Sequence, residues 1–176
     1  MRRSISFTIL FFVMLSVLVS CYQSHKRELD LAYTLAESKP DSALPFLNRI
    51  NQGKLSDEDM AKYALIYYMA QDKSGLDVDN DSLIRIAYDW YEGHQEDSLY
   101  ASSLYYMGKC FLLNDSMEQA KSCLEKSYSI SDSLHNMNLI CLALDKLIEV
   151  EEQLAPDTAL KYAKDLVKMY EAMPNV

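Results

Sequence analysis

Glycine and proline are scarce in this sequence, and their scarcity removes whole classes of site. Glycine occurs only at 53, 75, 93 and 108, and proline only at 40, 45, 156 and 174. Four scattered glycines build no glycine-rich phosphate loop and no Gly-x-Ser-x-Gly elbow. Histidine is limited to His25, His94 and His135, none with another histidine or a cysteine at metal-ligand spacing. Beyond Cys21 the only cysteines are Cys110, Cys123 and Cys141, an odd number at irregular spacing. That is neither a disulfide framework nor a zinc pattern. Their apolar and small neighbours predict buried thiols. A Cys110–Cys123 bridge stays open in an oxidising compartment, should facing helices bring the two together.

Positive charge is also in short supply. Seventeen Lys and Arg face 26 Asp and Glu, a formal charge of −9. Nucleic acid and anionic lipid need the opposite surplus, so neither is expected as a partner. No segment alternates with period two over a useful length, so strands are not expected. One candidate calcium loop, Asp77-Val78-Asp79-Asn80-Asp81, has oxygen ligands at alternate positions. It lacks the central glycine and a glutamate at the twelfth place, and it reads as an acidic linker entering a helix cap. No metal and no cofactor are expected.

Acidic residues are missing altogether before Glu28. Arg2 and Arg3 precede an apolar run from Ile5 to Val19, the layout of a secretory signal peptide. The run is shorter than the roughly 20 residues that a spanning helix needs. It ends in Leu18-Val19-Ser20-Cys21, which resembles the lipobox of bacterial lipoproteins. The resemblance implies cleavage before Cys21 and lipid on its thiol, with two or more acyl chains needed for stable anchoring. The expected organisation is a signal peptide over 1–20, a lipidated cysteine and tether over 21–27, and one domain over 28–176. Removal of 1–20 takes away two arginines and no acid, leaving 156 residues at −11. That length suits a single domain with a real core. The expected location is the bacterial cell envelope, lipid-anchored and facing the periplasm.

What remains reads as helix throughout. The breakers and the recurring Asp-Ser pairs place helices at about 28–38, 41–51, 57–72, 81–92, 98–113, 116–130, 134–152 and 157–171. The second helix of each pair opens alike: Asp41-Ser42-Ala43-Leu44, Asp81-Ser82-Leu83-Ile84, Asp115-Ser116-Met117-Glu118 and Asp157-Thr158-Ala159-Leu160. Asp97-Ser98-Leu99-Tyr100 and Asp132-Ser133-Leu134-His135 open the alternate helices in the same manner. Each is read as an N-cap, and caps at helix-pair spacing signal an internal repeat. Within residues 101–134, Gly108 and Ala120 fall where two helices would have to approach closely.

The small residue at Gly108, the aromatic at Phe111 and the alanine at Ala120 resemble the tetratricopeptide repeat, a helical hairpin of 34 residues. Ser127 stands where that family places a second alanine, and Asp132 where it places proline. Residues 28–150, with Pro40-Asp41-Ser42-Ala43-Leu44 near their start, are similar to tetratricopeptide-like lipoproteins and sensor ectodomains of the Bacteroidetes type. The resemblance implies an all-α fold, a right-handed superhelix of stacked antiparallel helix pairs. Longer members carry a transmembrane helix and an output domain after the repeats. The chain ends at Val176 with neither, so intrinsic signalling is not expected.

On such an array the first helix of each pair lines the concave face. Tyrosine is abundant along these helices, and it gives contact area plus a hydroxyl at low entropic cost. Tyr67, Tyr105, Tyr106 and Asn138 are the expected partner-binding residues, although core packing alone explains many tyrosines. The expected function is non-enzymatic: holding an envelope protein or peptide while tethered through Cys21. The alternatives are an ectodomain-like fragment of a sensor system, or a helical ligand-binding protein or hydrolase with a closed pocket around His94 or His135.

Overall fold

Eight α-helices and one 3-10 turn account for residues 25–76, 81–94 and 97–172, which are the residues described by this computed structural model. No strand occurs among them. Helix α1 covers residues 25–38. It is followed by α2 (Pro40–Leu47), the 3-10 turn (Gln52–Lys54), α3 (Asp57–Lys73), α4 (Ser82–His94) and α5 (Asp97–Leu113). The last three are α6 (Met117–Ser133), α7 (Met137–Leu154) and α8 (Pro156–Ala172). The expected signal-peptide segment, Cys21 and residues 77–80 of the candidate calcium loop lie outside the described residues.

The helix ends follow local chemistry that differs from the expected caps. Helix α3 opens on Ser56, whose hydroxyl oxygen accepts from the Asp59 N–H at 3.1 Å and donates to Asp59 Oδ2 at 3.0 Å. Asp57, Glu58 and Asp59 place negative charge in its first turn, where the helix dipole favours it. Gly75 closes it at φ +69°, with Leu76 N–H donating back to the Gln71 carbonyl at 3.0 Å. Helices α5 and α6 end in the same left-handed hook, built on Asp115 and His135 at φ 54°. There Ser116 N–H reaches the Phe111 carbonyl and Asn136 N–H the Ser131 carbonyl, both at 2.9 Å.

Asp115 therefore closes one helix and does not cap the next. Ser116 precedes α6 without a side-chain capping bond. Asp132 and Ser133 lie in α6 and do not open α7; the cap of α7 is Asn136, whose Oδ1 accepts from Leu139 N–H at 3.2 Å. Helix α2 stops at Leu47, short of the expected 51, and holds Pro45 inside it. Proline supplies no N–H for the helical ladder, which weakens a short helix.

Consecutive helices pack against each other from α2 to α8, and α5 also touches α3 and α7. This is a helical-repeat arrangement: antiparallel neighbours stacked so that alternate helices form one layer. Small residues permit the close approach. Ala32, Ala36, Ala61, Ala64, Ala70, Ala87, Ala101, Ala120 and Ala143 are all fully buried. At the α5–α6 contact, a Cβ on Gly108 would stand 2.8 Å from Leu124 Cγ and 3.4 Å from the Ala120 carbonyl oxygen. One turn away along α6, the buried Ser127 hydroxyl donates to the Ala101 carbonyl at 2.7 Å. Serine fits a place that would suit alanine because its extra oxygen has an acceptor across the contact.

Ion pairs run between alternate helices in register. Lys62 meets Asp30 at 2.6 Å and Lys73 meets Glu37 at 3.0 Å, both tying α3 to α1. Lys109 on α5 pairs with Asp72 on α3 in the equivalent manner. The three cysteines are buried and free. Cys110 bonds to Tyr68, whereas Cys123 lies near Lys126 and Glu92, so the two thiols face different surroundings. Burial pushes all three thiols above their ordinary range.

Candidate functional site

The layer of odd-numbered helices carries a groove of about 650 Å³. Each helix contributes two side chains one turn apart on one face: Tyr33 and Glu37 from α1, Met69 and Lys73 from α3, Ser102 and Tyr106 from α5, Asn138 and Leu142 from α7. The first members, at 33, 69, 102 and 138, recur at steps of 36, 33 and 36 residues. They are equivalent positions of a repeat. Asn136, Leu139 and Cys141 widen the α7 wall, and Tyr170 from α8 stands at the rim, 59% exposed.

Both rows mix polar and apolar side chains, with Met69 in the first and Leu142 in the second. Tyr33 from α1 and Ser102 from α5 meet in the groove, and the Ser102 hydroxyl donates to the Ser98 carbonyl at 3.1 Å. Burial, then the nearby Glu37 charge, raises the Tyr33 hydroxyl above its ordinary value. The Lys73–Glu37 pair lies in the second row, with both ends partly exposed. Asn138 is exposed and carries both a donor and an acceptor. Cys141 is a thiol, not a thiolate, near neutral pH, since burial raises it.

Of the residues that the sequence singles out, the structure brings Tyr106 and Asn138 together in this groove. Tyr106 is part of its floor, only 3% exposed, with its hydroxyl pushed well up by burial and then by Asp72. Tyr105 is equally buried and points elsewhere, its ring edge-on to Tyr106 at 4.9 Å between centres. Tyr67 is half-buried and stacks on Tyr63 at 5.7 Å, outside the groove lining. Gly108 and Ala120 sit at the α5–α6 contact. Cys21 lies outside the described residues.

Tyr33, Glu37, Met69, Lys73, Ser102 and Tyr170 are groove residues that sequence reasoning missed. The signal was the repeat register itself: once Asn138 is chosen on α7, equivalent places on the other odd helices give Ser102, Met69 and Tyr33. Tyr170 has no such signal, because it comes from an even helix.

Neither His94 nor His135 lines the groove. His94 is the last residue of α4 and stacks on Trp90, whereas His135 is an exposed hook residue after α6. The described residues contain no group of His, Cys, Asp or Glu arranged to hold a metal ion. No helix among them is long and apolar enough to cross a membrane. What the groove offers chemically is hydrogen bonding, one ion pair and apolar contact. Comparison with protein-family models, curated proteins and solved structures finds no match to this chain.

Proposed function

We propose that the chain is a non-catalytic interaction module whose groove holds a short extended segment of an envelope protein. In this reading the stacked helices form a right-handed, tetratricopeptide-like superhelix and the groove is its concave face. A lipid on Cys21 tethers the domain to a membrane on the periplasmic side. The observation that carries the reading is the contribution of equivalent side-chain pairs by four successive odd helices to one open groove.

The chemistry of the lining suits a peptide. Its volume, about 650 Å³, falls within the roughly 300–1,000 Å³ of ligand-binding clefts. Asn138 matches the donor and acceptor of a backbone amide. Met69, Leu139 and Leu142 supply apolar contact, and Tyr170 supplies an exposed aromatic surface of the kind that anchors interfaces. Lys73 and Glu37 satisfy each other and would fix the direction of a polar segment.

Affinity purification from crosslinked cells tests the reading with the variant Asn138→Ala/Tyr170→Ala. Both side chains are exposed, so the fold should survive. One dominant envelope protein is expected with the native chain and not with the variant at equal protein level. Equal recovery by both would remove the groove from the function. The tether is tested separately: Cys21→Ser should move the protein from the membrane fraction to the soluble one, and an unchanged distribution would contradict lipid anchoring.

A further inference from the structure

A second cavity, of about 390 Å³, opens between the start of α3 and the outer face of α4. Asp57, Met60, Ile86, Asp89, Trp90 and His94 line it, and none of these lines the groove. Trp90 and His94 lie one turn apart and stack at 3.8 Å between ring centres, with planes only 8° apart. Nδ1 of His94 donates to the Trp90 carbonyl at 2.7 Å, which fixes the imidazole in place. The result is a flat aromatic platform.

Two carboxylates flank this platform. Asp57 and Asp89 are both exposed, and neither belongs to an ion pair among the described residues. Arg85, one turn before Asp89, is held by Asp81. Met60 and Ile86 add apolar wall, and Ile86 is 40% exposed. A flat aromatic surface, an apolar wall and two carboxylates outside any direct ion pair complement one side chain above all, although the Arg85 charge is felt at Asp89. Arginine has a planar, weakly hydrated cation that stacks on rings and pairs with carboxylates, on an aliphatic stem that lies along apolar surface. Lysine provides the charge without the plane.

We propose that this notch receives an arginine side chain of a protein partner. The site is independent of the groove, on a different face of α3, so a partner seated in the groove could be gripped at a second point.

Trp90 is the only tryptophan in the chain, so intrinsic fluorescence reports on the notch directly. The purified full chain in detergent is titrated with oligo-arginine, oligo-lysine and oligo-citrulline peptides of equal length. A saturable change in Trp90 emission is expected with arginine, a weaker response with lysine and none with citrulline. Asp57→Asn/Asp89→Asn should raise half-saturation by about three- to tenfold, since exposed ion pairs are individually modest. Glu118→Gln/Glu152→Gln removes the same charge elsewhere and should change nothing. Asn138→Ala/Tyr170→Ala should also leave the response intact, which separates this test from that of the groove. Helical circular dichroism confirms that each variant folds. The proposal is overturned if citrulline acts like arginine, if both charge variants weaken binding equally, or if no saturable change occurs.

Discussion

Glu151 is fully buried, and Lys121 Nζ, 2.7 Å from its Oε1, forms an ion pair with it; neither carboxylate oxygen has a well-aligned hydrogen-bond partner among the described residues. The ion pair joins α6 to α7. A buried charge without its partner costs more than the pair contributes, so single and double replacements should differ in order. Lys121→Met should lower Tm, and Lys121→Met/Glu151→Leu should recover much of that loss; thermal melts of the two variants decide it. Buried tyrosines give the fold an alkaline limit. Burial raises the hydroxyls of Tyr68, Tyr105 and Tyr106 above the ordinary 10.0. Protonation is favoured in the folded state, so their contribution is complete below pH 10 and is lost as pH rises through the raised values. Phenolate absorbance and helical signal should therefore change together above pH 10. A full tyrosine titration with the helix intact would contradict their burial. The direction of these side chains was not legible in the sequence. Tyr105 and Tyr106 are neighbours on α5, where residues 101–108 are buried on every side. A helix surrounded by α3, α4, α6 and α7 has no polar face to orient it.

Helices, as elements, were legible because glycine, proline and the Asp-Ser pairs interrupt strongly helical stretches. Their ends were less so. Aspartate before serine reads as a cap, yet Asp115 and His135 take the left-handed place that closes a helix, a conformation natural to glycine, which has no Cβ. Gly75 shows the same hook with the expected residue. Gly108 is the opposite case, a helical glycine whose role is steric. Alanine there gains about 1 kcal/mol of helix propensity but drives a methyl to 2.8 Å from Leu124 Cγ, in a site where overpacking costs roughly 1–3 kcal/mol. Gly108→Ala should thus be destabilising by up to about 2 kcal/mol, and Gly108→Val by more. Denaturant unfolding measures both, and a stabilised alanine variant would show that α5 and α6 are less closely packed than described.

Across the whole molecule, stability should be graded along the stack. Helix α5 touches α3, α4, α6 and α7, whereas α8 packs on α7 with only Ala159 buried among its residues of known exposure. Leu160, Val167 and Tyr170 on α8 are more than half exposed. Amide hydrogen exchange should be slowest in α5 and fastest in α8, reflecting local opening at the end of a repeat array. Uniform protection would indicate a single cooperative core instead. The groove belongs to this scale as well. Its residues are separated by whole repeats in sequence, so only the register of successive helices reveals that Tyr33, Met69, Ser102 and Asn138 share one surface.

Site-specific photocrosslinking in intact cells tests that surface most directly. A photoreactive residue is placed at 142 or 170 in the groove, or at the exposed Leu113 outside it. The groove positions should yield the same discrete adduct, abolished by Asn138→Asp, while position 113 yields none. No adduct from the groove, or equal adducts from position 113, would contradict a binding role for this face.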